Sequence, residues 1–189
     1  MTIDIREAYR RALDAFGAHV HRVAAGQWRI PTTCADWDVH TLVDHLVGES
    51  LLAPELLAGR PAGEVAHLLD GDLLGDDPVK AFDVAAAAAV RAMDEPDVLT
   101  RTVRLSFGDI SGEEYISELF ADTLIHTWDL AKAIGGDERL DPDLVEVCAR
   151  WFAGAEESYR QAGVIDERPP LPEDADPQTR LLAAWGRGA

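Results

Sequence analysis

Residues 38–58 read DVHTLVDHLVGESLLAPELLA. Asp38 offers a side-chain acceptor suited to close a helix N-terminus. Behind it Val39, Leu42, Leu46, Ala53 and Leu57 recur at the spacing of a buried helical stripe. The stretch therefore predicts a helix ending near Ala58, the second of the chain. The first is expected from about Ile3 to Ala25, where Leu13, Phe16 and Val20 share a face and Gly26 is a stop signal. Pro78 opens an Ala-rich third helix reaching about Met93. Ser111 and Glu114 form a capping-box pattern ahead of a fourth, which runs to Gly135-Gly136. Asp141-Pro142 opens a fifth, ending near Gly163. A short terminal helix is expected around Gln178 to Trp185, after an acidic, Pro-rich stretch from Asp166 to Pro177. Residues 59–77 read as loop with one short turn around Val65 to Leu69. Residues 98–107 alternate like a strand, but no second segment offers itself as a partner. Long helices with so little strand predict an all-α bundle over 1–163, with a tail, 164–189, packed on the same domain.

Composition narrows the function. Seventeen basic against 35 acidic residues leave a net charge of −18, which repels phosphate backbones and anionic membranes. Neither nucleic acid nor a membrane is an expected partner. The longest uncharged apolar run, Val84 to Val90, is far too short to span a bilayer, and no basic start followed by an apolar run marks a signal peptide. The expected location is the cytoplasm. Cys34 and Cys148 stand far apart, supporting neither a disulfide framework nor a cysteine-only zinc site.

Four His/acid pairs have i, i+4 spacing: Asp36/His40, His40/Asp44, His45/Glu49 and Asp122/His126. Such a pair places two ligands on one helix face, about 6 Å apart along the axis. Six histidines and 35 acidic residues in 189 positions produce roughly two such pairs by chance, so spacing decides nothing. Facing is more informative. At ~100° per residue, His45 and Glu49 flank the apolar stripe of the second helix, whereas Asp44 lies almost opposite it. Asp122 and His126 fall among Tyr115, Leu119 and Ala133 on the fourth. Burying such groups is costly unless they are paired, hydrogen-bonded or metal-bound. The residues alone leave two readings open: a metal ion between two helices, or core histidines satisfied by neighbouring carboxylates.

Two segments carry a resemblance. Cys34-Ala35-Asp36-Trp37-Asp38-Val39, leading to Leu42-Val43-Asp44-His45-Leu46-Val47-Gly48-Glu49, resembles the opening motif of the mycothiol-dependent maleylpyruvate isomerase metal-binding domain, a branch of the DinB-like superfamily. His126-Thr127-Trp128-Asp129-Leu130-Ala131, followed by Gly135, resembles its second motif. Phe107-Gly108 with Gly112, and Gln178 to Ala183, are also similar. The likeness covers nearly the whole chain and is strongest to a compact actinobacterial branch described as metal-binding proteins. It implies a DinB-like four-helix bundle with additional short C-terminal helices and a metal site near one end. The implied ligands are His45, Asp122 and His126. The family's middle ligand is typically Glu; Asp is one methylene shorter, so the metal is expected nearer the fourth helix. His19, His21, His40 and His67 match no ligand position.

Three protein ligands with an open position describe a catalytic site. Two imidazoles and a carboxylate suit zinc first, with nickel or iron as alternatives. Glu49 and Asp129 are candidates to orient a histidine or exchange a proton. Trp37, Phe107 and Trp128 are candidates to wall the pocket, or simply to pack in the core. The resemblance implies mycothiol as thiol cosubstrate and a small electrophile as substrate, giving S-transfer or double-bond isomerisation. Isomerisation of maleylpyruvate itself is not the expected reaction, because enzymes of that activity resemble this chain only in their first domain. The alternatives are metal-dependent hydrolysis, or a non-catalytic metal-binding or stress-response protein. A homodimer is compatible with either.

Overall fold

The computed structural model describes residues 3–188. Its elements in chain order are α1 (Ile5–Val20), α2 (Val39–Leu57), α3 (Ala62–Val65), α4 (Pro78–Met93), β1 (Thr102–Leu105), β2 (Gly108–Ser111), α5 (Gly112–Ile134), α6 (Pro142–Gln161) and α7 (Pro177–Ala184). The fold is all-α apart from the small hairpin, as the helical periodicity predicts.

The helix starts follow the caps written in the sequence. Asp38 accepts the Thr41 N–H at 2.8 Å, Asp77 accepts that of Lys80, and Ser111 accepts that of Glu114. Gly135 ends α5 with φ 71°, a left-handed C-cap that only glycine adopts at little cost. α1 is shorter than expected. It stops at Val20, and the chain turns through Ala24 and Gln27, whose side chain accepts the Ala24 N–H and donates to the Ile134 carbonyl. With those bonds made, the turn needs no further helix.

The strand expectation also needs correcting. Residues 102–105 do have a partner: they pair antiparallel with 108–111, Val103 opposite Ile110, around the two-residue turn Ser106-Phe107. Gly-Asp-Ile-Ser lacks an alternating apolar pattern, which hides β2 from a periodicity search. Gly108, at φ 144°, gives the hairpin the backbone geometry it needs.

α1 packs against α5 and α4, and α2 against α4 and α5, so α1 and α2 lie diagonally across a four-helix bundle. Its core contains Phe16, Leu42, Leu46, Phe82, Ile116, Phe120 and Leu124, all at most 2% exposed. α6 packs beside α5 and α1, and α7 covers α6, with Trp185 stacked on Phe152 at 4.3 Å between ring centroids. Among the described residues no helix is long and apolar enough to cross a membrane.

Candidate metal centre

α5 carries Asp122, His126 and Asp129 at spacings of four and three, which stacks them on one helix face. That face meets α2 where His45 and Glu49 project. The His45 Nε2 lies 3.1 Å from the Asp122 Oδ2, and the His126 Nε2 lies 3.4 Å from the same oxygen. The imidazoles stand edge-on at 5.3 Å, and Trp37 packs over both, 5.0 Å from His45 and 5.7 Å from His126. Three donor atoms from three side chains, all within 4.8 Å of one another, make a set able to hold one cation. Glu49 completes the group: its Oε1 is 3.8 Å from the His45 Nε2, and its buried Oε2 accepts no hydrogen bond among the described residues.

The far side of His126 is held firmly. Its Nδ1 faces the Asp129 Oδ2 at 2.9 Å, and Asp129 is fully buried. Arg187 clamps the carboxylate through two bonds, Nε to Oδ1 at 3.0 Å and Nη2 to Oδ2 at 2.9 Å. Thr33 donates its hydroxyl to Oδ1, and the Cys34 thiol reaches Oδ2 at 3.3 Å. Loop 32–37, α5 and the segment after α7 thus meet on one carboxylate. An imidazole held through Nδ1–H presents its Nε2 lone pair to the opposite side, where Asp122 and His45 are.

The electrostatics follow from crowding charges in a buried place. Burial pushes the Asp122 carboxyl up, but His126 and His45 outweigh it and hold it well below the usual range. Burial opposes the His126 cation, yet Asp122 and Asp129 raise it well above an ordinary imidazole. Burial likewise opposes the Asp129 charge, which His126 and Arg187 stabilise. Glu49 moves the other way: burial first, and the Asp122 charge second, raise its carboxyl well above the normal value. Two charged carboxylates, Asp122 and Asp129, thus face two protein cations, His126 and Arg187, while Glu49 is held toward its neutral form.

The sequence-predicted residues fare unequally. His45, Asp122 and His126 come together, with Asp129 behind His126 and Glu49 beside His45. Trp37 walls the cluster. Trp128 is buried instead, with the Lys132 ammonium 4.4 Å above its ring, and Phe107 is 73% exposed at the hairpin tip. The other histidines lie elsewhere: His21 pairs with Asp83, His40 is 3.7 Å from Asp72, His67 bonds the Glu64 carbonyl, and His19 is buried against Gly136. Asp44 accepts the Leu73 N–H, a structural task. Sequence reasoning missed Arg187, Thr33 and the contact of Cys34 with Asp129, since no spacing connects them to α5. Cys34, His126 and Asp129 form a second donor group, but its carboxylate is already saturated by Arg187 and Thr33. Cys148 is fully buried, and burial raises its thiol far above the ordinary value.

One turn before Asp122, Glu118 is half-buried, and burial, with Glu114 second, raises its carboxyl from 4.5 to about 7. A raised carboxyl adds stability below its unfolded value and loses it as pH rises through the folded one. Glu118→Gln should therefore be more stable than the parent at pH 8, by about 1–2 kcal/mol after allowing for partial exposure, and nearly equal at pH 4. Urea denaturation at the two pH values reads the difference.

Helices packed around a convergent His/carboxylate cluster define a DinB-like helical domain. Comparison with known proteins agrees: a family model for the mycothiol maleylpyruvate isomerase N-terminal domain matches residues 9–131, and the chain belongs to that family. The match includes both histidine motifs. Two uncharacterized proteins of Mycobacterium tuberculosis, MT0763 of strain CDC 1551 / Oshkosh and Rv0738 of strain ATCC 25618 / H37Rv, are each 34% identical over 183 residues. That alignment covers 95% of this chain and 96% of theirs. No solved structure matches the chain significantly.

Proposed function

We propose that the chain holds one divalent metal ion through His45, Asp122 and His126 and uses it to activate a low-molecular-weight thiol, of the mycothiol type, against a small electrophile. The observation that carries this is the convergence of two Nε2 atoms on the Asp122 Oδ2, with the His126 Nδ1 locked by Asp129. Zinc is the first choice for two imidazoles and a carboxylate, with nickel or iron next. When bound, the cation would supply the Lewis acidity that keeps a thiol deprotonated near neutral pH.

The chain's own groups do the rest. Asp129, gripped by Arg187 and Thr33, keeps the His126 proton on Nδ1 and leaves Nε2 free as a donor. Glu49, with an unpartnered buried oxygen beside His45, is placed to take the thiol proton and return it. Trp37 shields both imidazoles from water on one side. Attack by sulfur forms a C–S bond. Departure of a leaving group, or proton uptake, completes S-transfer, whereas breaking the new bond after rotation gives an isomer. Neither cysteine belongs to the ligand set, so the sulfur comes from outside. The working location is the cytoplasm, without nucleic acid or membrane partners, and the bundle over 1–163 with the tail at 164–189 acts as one unit, alone or as a homodimer.

The test is thiol consumption by zinc-loaded protein given mycothiol and 1-chloro-2,4-dinitrobenzene or an epoxide. Turnover that vanishes on chelation and in Asp122→Asn supports the reading. Hydrolysis of 4-nitrophenyl acetate without thiol would move the assignment to a hydrolase with Glu49 as base. Metal uptake with no chemistry across such electrophiles would leave a metal-binding protein without catalysis.

A further inference from the structure

α5 bears Glu114, Glu118 and Asp122 at four-residue intervals, stacked along one face. Asp122 belongs to the histidine cluster. Glu114 and Glu118 instead face a separate cavity of about 780 Å3 between α5, α6 and the hairpin turn. Trp151 and Tyr159 of α6 wall it, and Phe107 and Val164, 73% and 65% exposed, stand at its rim. The Trp151 Nε1 donates to both Glu114 oxygens at 3.2 Å, which fixes the indole. Glu118 makes no hydrogen bond or ion pair among the described residues, and no Lys or Arg lines the cavity. Glu118 lies one helical turn before Asp122 on α5. Burial raises the Tyr159 phenol, and the carboxylates of Glu118, Asp122, Glu114 and Glu49 act on it in the same sense.

We propose that this cavity binds a small organic cation with an aromatic or apolar body, its ammonium group against Glu118 and Glu114 and its body on Trp151, Tyr159 and Phe107. Each alternative leaves something unsatisfied. An anion meets two carboxylates with no counter-charge. A neutral apolar molecule desolvates Glu118 further without pairing it. A bare metal cation leaves the indole, the phenol and two exposed apolar side chains unused. An organic ammonium ion pairs with the carboxylates, lies on aromatic faces that attract cations, and covers Phe107 and Val164. The volume falls in the ordinary range for small-molecule sites. The inference stands apart from the metal reading.

Isothermal titration of zinc-loaded protein at pH 8 tests it, with benzyltrimethylammonium, benzyl alcohol and benzenesulfonate as probes. The cation is expected to bind about tenfold or more tightly than the alcohol, and the sulfonate not to bind. Glu118→Gln should weaken the cation about tenfold and leave the alcohol unchanged. That variant is expected to be no less stable than the parent, so lost binding will not reflect lost folding. Trp151→Leu, checked by circular dichroism, should weaken both the cation and the alcohol. Equal affinity for cation and alcohol, no cation binding at millimolar concentration, or unchanged affinity in Glu118→Gln overturns the proposal. Should the chain take up no zinc, the metal reading fails, and the same titration on Asp122→Asn tests the cavity alone.

Discussion

His126→Ala is expected to lower metal content from about one equivalent per chain to less than about a tenth, read by elemental mass spectrometry on protein without an affinity tag. The variant removes one of two imidazole donors and opens the buried side of the cluster, whereas Asp129 keeps its partner in Arg187. The parent should lose thermal stability on chelation and regain it with zinc; the variant should respond to neither. A purely structural cluster gives the opposite pattern. The parent would then hold no metal, and the substitution would still cost about 3 kcal/mol, because Asp122 loses the more deeply buried of its two imidazole partners. Metal content and chelator response together separate the two cases.

Gly112→Ala should be the most damaging single methyl addition in the chain. Helix propensity alone favours alanine at this first position of α5 by about 1 kcal/mol. A Cβ there, however, would lie 1.9 Å from the Val98 carbonyl oxygen and 3.0 Å from its carbon, both backbone atoms in a turn that cannot swing aside. The Gly112 N–H is meanwhile bonded to the Arg101 carbonyl at 2.8 Å, which pins the two segments together. A net loss of about 3 kcal/mol is expected. Gly154→Ala, within α6 and with none of the described residues within 4 Å of where a Cβ would sit, should go the other way by about 0.5–1 kcal/mol. Urea midpoints of the two variants shifting in the same direction would refute the packing argument.

What the sequence disclosed and what it hid divide along a physical line. Caps and stripes are local, so Asp38, Pro78, Ser111 and Gly135 announce their helix ends, and the structure places those ends within a residue of the expectation. Facing along two such helices, together with the family likeness, was enough to bring His45, Asp122 and His126 to one place. The Asp129 clamp was not legible, because Arg187 lies 58 residues further along and approaches only after α7 has folded back on α6. The hairpin was half legible. β1 shows alternation, but β2 is a glycine, an aspartate and a serine around a single isoleucine, and its pairing depends on the turn. The cavity at Glu118 was invisible for a third reason: its walls come from α5, α6 and a loop tip, and only their packing brings acid and aromatic together.

The diagonal arrangement of α1 and α2 has a bearing on how fast this chain reaches its native state. α1 finds its main partner in α5, which begins at Gly112, more than ninety residues after α1 ends at Val20. α2 and α4 are separated only by Ala58 to Asp77. The cheaper loop closes first, so α2 and α4 should form the early pair, while α1 has only its smaller contact with α4, through Phe16 and Phe82, until α5 arrives. During synthesis that interval lasts for the time taken to translate the intervening stretch, and the part of the α1 apolar face that α5 will cover stays open to solvent or to a chaperone throughout.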